Sequence, residues 1–409
     1  MKRKLLKLYT QLAQVLQLQT FPLDIEPVTG APLEIRRFYF TSNDIFHFNE
    51  TASSPLPQTH DTEQKKSDST LLNLPDEKIS ENYRFPYYII MSKTNTCFDN
   101  AILMFHGLNE KWWGKYLPWA HVISETLNRP VILFPMAFHM DRAPDIWSNP
   151  RKMIPVARER KKTYPEVKAL SFTNVALSHR IHEAPVRFLT SGFQSFLDVI
   201  KLTQKIKDGN HLSLSKDAHI DIFGYSIGAS LTLLLLCADP YGLFSDSKAF
   251  LFCGGSTLNK SNPLFKTIID NKAYYKLFDF MDRLVQDSEK RLTDFEQYIY
   301  KTVSTHGTGI TWFKSLLFDN RMEKMRTKRI REMADRIKGA VLTKDKVFPP
   351  NAVKETFLDD NNNILSQINE YDMHISYSHE KPFPPNADNP KQVNNIFNSV
   401  MHNAVSHFK

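Results

Sequence analysis

At 409 residues with 42% hydrophobic content, the chain is long enough for one large domain with insertions or two modest ones, with a sizeable core. Its formal charge of +8 is small for this length, and the basic residues are spread out rather than gathered with aromatics or glycines, which argues against a nucleic-acid partner. Three cysteines, Cys97, Cys237 and Cys253, form too sparse and odd a set for a disulfide framework and favour a reducing compartment.

Leu5, Leu8, Tyr9, Leu12, Val15 and Leu16 recur at helical spacing beside Lys2, Lys4 and Lys7. Lys7, Gln11, Gln14 and Gln17 interrupt the apolar core that a signal peptide needs, so the segment reads as a helix docked on the protein's own core. Weak contact of residues 1–18 with a membrane surface is the alternative. No apolar run approaches the length of a membrane span, and a cytoplasmic location without membrane insertion is expected.

Strands are expected at 34–41 and 85–91, separated at 51–69 by a Ser, Thr, Pro, Gln and Lys-rich stretch that reads as a flexible linker. Residues 1–84 therefore form an N-terminal unit of helix, first strand and linker. A short apolar strand at 101–105 runs into His106-Gly107, followed by a helical pattern over 112–127 and a strand at 131–134.

Residues 135–183 show no clear periodicity. Within them, 138–151 follow a strand and should lie at the rim of the sheet, where loops commonly choose substrates. His139, Arg142, Trp147 and Arg151 are candidates to hold an anionic or polar group, since Arg offers two parallel N–H bonds to a carboxylate. The alternative is internal, with Arg142 paired to Asp141 or Asp145 and Trp147 as packing.

An apolar helix over 186–206 precedes the most informative stretch. An alternating run ending at Phe223 reads as a buried strand, and the leucine-rich 231–237 as a buried helix. Gly224-Tyr225-Ser226-Ile227-Gly228 lies at their junction, the strand-turn-helix setting of a nucleophile elbow. A serine at so sharp a turn takes a strained backbone, and glycines two residues to either side remove side chains that would collide with it. The helix aims unpaired N–H groups and its positive dipole end back at the turn. A plain glycine turn before a helix is the alternative.

Next come a strand at 249–253, a largely helical insertion over 264–337, strands at 339–342 and 364–368, and a closing helix at 393–408. Residues 321–338 set Met322, Met325, Ile330, Met333 and Ile337 against Arg326, Lys328, Arg329 and Arg331, which reads as a solvated basic helix face. Strands alternating with helices predict an α/β protein with a mainly parallel sheet covered on both faces.

In that order the elements resemble the α/β-hydrolase superfamily over residues 85–409: a core at 85–263, a helical lid insertion at 264–337 and a C-terminal core at 338–409. Leu103-Met104-Phe105-His106-Gly107-Leu108 is similar to the family's His-Gly oxyanion turn. The resemblance implies main-chain N–H groups of Leu108 and Ile227 as oxyanion donors, with His106, Gly107 and Tyr225 beside the substrate.

Serine alone is a poor nucleophile, so a histidine must take its proton and an acid must fix that histidine's tautomer. The segment 339–350 is similar to the family's strand-then-acid segment and supplies Asp345, whereas 254–262 contains no carboxylate. A surface aspartate paired with Lys344 or Lys346 is the other reading. Tyr377-Ser378-His379-Glu380-Lys381-Pro382-Phe383 resembles the family's Gly-His-x-x-Pro-Phe ending, with Ser378 where glycine is common, and nominates His379. His374 is the rival; His402 and His407 fall in the closing helix.

The resemblance implies a serine hydrolase that cleaves a carboxylic ester, thioester or amide of a small molecule through an acyl-enzyme. No cofactor or metal is expected: His-Glu-x-x-His and Cys-x-x-Cys are missing, and Gly307-Thr308-Gly309 lacks the rest of a phosphate loop. A binding or scaffold protein that has lost turnover, and an acyltransferase using the same triad, remain open. Phe280, Trp312 and Phe313 of the insertion either line an acyl pocket or form the insertion's own core.

Overall fold

The computed structural model describes residues 23–25, 33–42, 72, 74–286, 292–304, 308–359, 361–384 and 387–409. The helix expected within 1–18 and the linker expected at 51–69 lie outside them. Among the described residues there are nine strands: β1 (Leu23–Ile25), β2 (Leu33–Thr41), β3 (Arg84–Ser92), β4 (Phe98–Phe105), β5 (Val131–Leu133), β6 (Leu214–Tyr225), β7 (Ala249–Phe252), β8 (Ile337–Leu342) and β9 (Gln367–Tyr371). The longer helices are α1 (Leu117–Leu127), α2 (Pro150–Thr163), α3 (Val175–Glu183), α4 (Val186–Lys207), α5 (Ile227–Ala238), α6 (Asn271–Val285), α7 (Asp294–Ser304), α8 (Gly309–Ser315), α9 (Glu323–Glu332), α10 (Pro350–Thr356) and α11 (Pro390–Phe408).

The strands form one sheet in the order β1-β2-β3-β5-β4-β6-β7-β8-β9. Pairing is antiparallel from β1 to β5 and parallel from β5 to β9. This is the α/β-hydrolase fold. The chain passes from β4 to β5 on one side and then crosses to β6 on the other, so a crevice opens beyond the carboxyl ends of β4 and β6. His106 follows the first of these strands and Ser226 the second.

Strand alternation divides the core between the two faces. Ile89, Leu103, Ile132, Ile222, Leu251 and Val341 point to one side, against Leu189, Phe193 and Phe196 of α4 and Leu233 and Leu235 of α5. Ile90, Met104, Leu133, Phe223, Phe250 and Leu342 point to the other, against Trp119 and Ile123 of α1 and Phe397, Val400 and Met401 of α11.

Four local readings change. The helix expected from 112 starts at Leu117, because Trp113 O accepts from Tyr116 and Leu117 N–H in a preceding turn. The aperiodic 135–183 contains α2 and α3. Helix α2 carries Pro155 in its interior and buries only Met153 and Arg160, so it has no apolar stripe to read. It docks through the Arg160–Asp270 ion pair, at 2.6 Å.

Strand β9 lies three residues beyond the expected 364–368; Ile364 is exposed and only bridges Leu358, while Ile368 is opposite Gly339. The basic face at 321–338 is not simply solvated. Arg326 is buried and donates to the carbonyls of Ser315, Phe318, Asp319 and Arg321. Arg329 donates to Leu236 O and Cys237 O, placing a cation at the negative end of α5. Cys97, Cys237 and Cys253 are unpaired. Among the described residues, no helix is long and apolar enough to cross a membrane.

Candidate active site

Ser226 takes φ 58° and ψ −125° between β6 and α5. A non-glycine residue there stores about 1–3 kcal/mol, so its surroundings must enforce the geometry. Ser226 N–H donates to Phe252 O of β7 at 3.1 Å, and Ser226 O accepts from Ala229 N–H at 2.9 Å. A Cβ at Gly224 would lie 2.7 Å from Ala229 Cα, and one at Gly228 would lie 2.8 Å from His106 O. Both glycines of the elbow are therefore demanded by packing.

The Ser226 hydroxyl lies 2.8 Å from His379 Nε2, and His379 Nδ1 lies 2.8 Å from Asp345 Oδ2. A carboxylate only accepts, so Nδ1–H donates to Asp345 and leaves Nε2 as the acceptor for Ser226 O–H. The other carboxylate oxygen accepts from Val347 N–H at 2.9 Å and Phe348 N–H at 3.0 Å. Asp345 is thereby fixed by its own loop. All three residues are buried. The imidazole packs against the rings of Tyr225, at 5.2 Å and 18°, and Phe348, at 5.8 Å.

The His-Gly turn reaches the serine: a Cβ at Gly107 would come within 3.3 Å of Ser226 Cβ. His106 holds this turn. Its Nδ1–H donates to Gly107 O at 2.8 Å and its Nε2 accepts from Met136 N–H at 2.9 Å. Burial drives its pKa well below the ordinary histidine value. Leu108, just past the glycine, and Ile227, the first residue of α5, both line a cavity that opens on Ser226.

Several sequence candidates are placed elsewhere. Arg142 is completely buried, with its guanidinium 2.7 Å from Asp198, 3.0 Å from Asn82 Oδ1 and 3.1 Å from Pro135 O. It does not face the crevice, and its carboxylate partner is neither Asp141 nor Asp145. Trp147 is buried beneath Arg180, whose guanidinium carbon lies 4.6 Å from its ring. Tyr225 and His106 are fully buried behind the site rather than on its surface. The Tyr225 hydroxyl donates to His379 O, which makes Tyr225 a support for the histidine loop. His374 is exposed and paired with Asp372. His402 is exposed, and His407 is buried against Arg336 O.

Sequence reading missed the groups that hold the His379 loop in place. Lys115 lies 4.5 Å from the Tyr225 ring, pairs with Glu110 and donates to Glu380 O at 3.1 Å. Thr267 donates to the Glu380 carboxylate. No local pattern announces these contacts, since their partners are distant in sequence.

Ser226 lines one cavity, and a second shares part of its wall. One, of about 510 Å³ including its mouth, is bounded by Ser226, Ile268, Ile269, Met281, Val347 and Phe348. The other, of about 620 Å³, is bounded by Met136, His139, Ser230, Leu234, Phe313 and Leu317. They share Leu108, Phe188, Ile227 and Leu258. Of the insertion's aromatics, Phe313 lines a cavity, while Phe280 and Trp312 pack in the core. Among the described residues, no group of three His, Cys, Asp or Glu side chains is arranged to hold a metal ion.

The strand order and the strained serine between strand and helix define the α/β-hydrolase class of fold, here with a serine, a histidine and an aspartate in hydrogen-bonded series. Within that class, the chain belongs to a family of unknown function, DUF6051, whose model matches residues 4–409. No curated protein is similar to it in sequence.

Similar solved structures include a cold-adapted esterase from an Arctic intertidal metagenomic library, with 8% identity, 93% of this chain and 96% of that one covered, and a TM-score of 0.39. A monoacylglycerol lipase of Paleococcus ferrophilus shares 13% identity over 76% of this chain and 96% of its own, with a TM-score of 0.38. An esterase of Pyrobaculum calidifontis shares 11% identity over 78% and 81%, with a TM-score of 0.37.

Proposed function

We propose that this protein is a serine hydrolase that cleaves a carboxylic ester, with thioesters and amides as the other acyl donors suited to the same chemistry. The hydrogen-bonded line from Asp345 through His379 to Ser226, 2.8 Å at each step, carries this reading. Ser226 Oγ attacks the carbonyl carbon while His379 Nε2 takes its proton. Asp345 stabilises the resulting imidazolium and holds the ring in the tautomer that can accept.

The main-chain N–H groups of Leu108 and Ile227 receive the oxyanion, each contributing about 10²–10³ in rate because it is oriented before charge develops. His379 then returns the proton to the leaving oxygen, and water repeats the sequence to release the acid. The apolar linings suit an apolar acyl or alkyl chain, and helices α6 and α8 act as a lid through Leu277, Met281 and Phe313. A scaffold that had lost turnover would have no need of so strained a serine.

The test is hydrolysis of p-nitrophenyl esters of graded acyl length by the wild-type protein and Ser226→Ala. Turnover should rise from acetate to longer chains as the cavities fill. The variant should lose about 10³–10⁶ of the rate with its fold intact, because triad members act as one unit. A folded Ser226→Ala protein that kept the activity would exclude Ser226 as the nucleophile.

A further inference from the structure

The larger cavity has a wall that is apolar apart from one histidine and three serines. Two of those serines are occupied by the backbone: Ser191 Oγ donates to Ala137 O, and Ser195 Oγ donates to Ser191 O while accepting from Ala137 N–H. Each of the other two polar side chains leaves one atom over. His139 Nε2 and Ser230 Oγ are buried without a hydrogen-bond partner among the described residues.

Buried polar atoms are nearly always paired, so two orphans on one cavity wall call for a ligand that completes them. His139 is 7% exposed. Its Nδ1 faces Ala137 O at 2.8 Å and must carry the ring proton, which leaves Nε2 as a bare acceptor. Burial lowers the His139 pKa to about 4, so the ring stays neutral under ordinary conditions. Ser230 stands one helical turn beyond Ser226 on α5 and can both give and accept.

We propose that this cavity selects esters whose apolar chain carries a hydroxyl group, which donates to His139 Nε2 and accepts from Ser230 Oγ–H. The inference rests on the serine-hydrolase reading and names its substrate class. A carboxylate would find no cation among the described lining residues and no free donor on His139. A plain alkyl chain would leave both polar atoms unsatisfied in a dry wall, which is the arrangement by which a site rejects the analogue lacking a hydroxyl. The hydroxyl could belong to the acyl group or to the alcohol, because both cavities meet at Leu108 and Ile227 beside Ser226.

The test has a binding arm and a kinetic arm. Calorimetric titration of Ser226→Ala, which cannot turn substrate over, uses methyl octanoate, a positional series of methyl hydroxyoctanoates, and octanoate monoesters of diols of graded length. At least one hydroxylated ester should bind about tenfold or more tightly than its plain counterpart, and its series identifies which side of the ester is read. In the wild-type protein the same member should be preferred in kcat/KM.

Ser230→Ala and His139→Phe should bring that preference ratio close to one, whereas His139→Gln, which keeps an acceptor, should retain part of it. If Ser226→Ala binds plain and hydroxylated esters equally across both series, the proposal is overturned even if the wild type is an active esterase. If the hydroxyl preference in binding is present but no ester is hydrolysed, the hydrolase reading fails and the recognition site stands.

Discussion

Asp345→Asn separates the acid's electrostatic task from its structural one. In the wild type, one carboxylate oxygen takes two backbone N–H groups, from Val347 and Phe348, and the other takes His379 Nδ1–H. Asparagine has one acceptor and one donor end. If the amide nitrogen faced the loop, it would oppose two N–H donors, losing two hydrogen bonds and setting donors against each other. The amide oxygen therefore stays on Val347 and Phe348, and the loop keeps its shape.

The amide N–H then faces His379 Nδ1, which must become the acceptor. The ring proton moves to Nε2 and points at Ser226 Oγ, so the histidine can no longer take the serine proton. Loss of the negative charge also removes support for the imidazolium. Serine proteases with this change in their triad lose about 10⁴ in kcat, which corresponds to about 5 kcal/mol of barrier. We expect the same order here, with a melting temperature within a few degrees of wild type. Initial rates on a p-nitrophenyl ester, with calorimetric melting of the same sample, measure both. Activity within tenfold of wild type in a folded Asp345→Asn protein would refute the tautomer argument.

Two further outcomes concern stability. Asp198→Ala leaves the fully buried Arg142 without its carboxylate and should cost about 3–5 kcal/mol in a urea unfolding curve, with little change in substrate preference per folded molecule. A changed preference at unchanged stability would return Arg142 to the substrate site. The second outcome is loss of stability in acid. Burial holds His139 and His211 at about 4, below their unfolded value near 6.5, and His106 shifts the same way. Their contribution is complete above pH 6.5 and is lost as pH falls toward 4, by up to about 1.4 kcal/mol per pH unit for each. Asp141, raised to about 6 by burial, opposes one of them. Denaturant unfolding should therefore show lower stability at pH 5 than at pH 7; equal stability would mean that these imidazoles are not held neutral.

The candidate site is legible in the sequence where it is written in contiguous residues. Gly224 to Gly228, His106-Gly107, Asp345 and His379 each sit in a short segment whose strand and turn context is local. The buried strands were legible for the same reason, since long apolar runs have few other places to go. What could not be read depends on distant partners. Arg142 follows a strand, as a substrate-binding arginine would, but its carboxylate is 56 residues away on α4.

Tyr225 lies inside the elbow motif, yet strand alternation sends its ring away from the crevice to stack on His379. Helix α3 carries Arg180 to Asp76 and to the carbonyls of Leu72 and Leu74, and such polar anchoring leaves no hydrophobic period to detect. The cavity walls come from α4, α5, α6, α8 and several loops, none with a signature of its own.

Covalent labelling with a fluorophosphonate probe, followed by peptide mapping, examines the catalytic geometry most directly. A serine whose proton is taken by His379 should form a single adduct per chain on the peptide containing Ser226. Ser226→Ala should abolish it and Asp345→Asn should slow it strongly. A correctly folded wild-type protein that remained unlabelled, or that carried the adduct on another residue, would contradict the account.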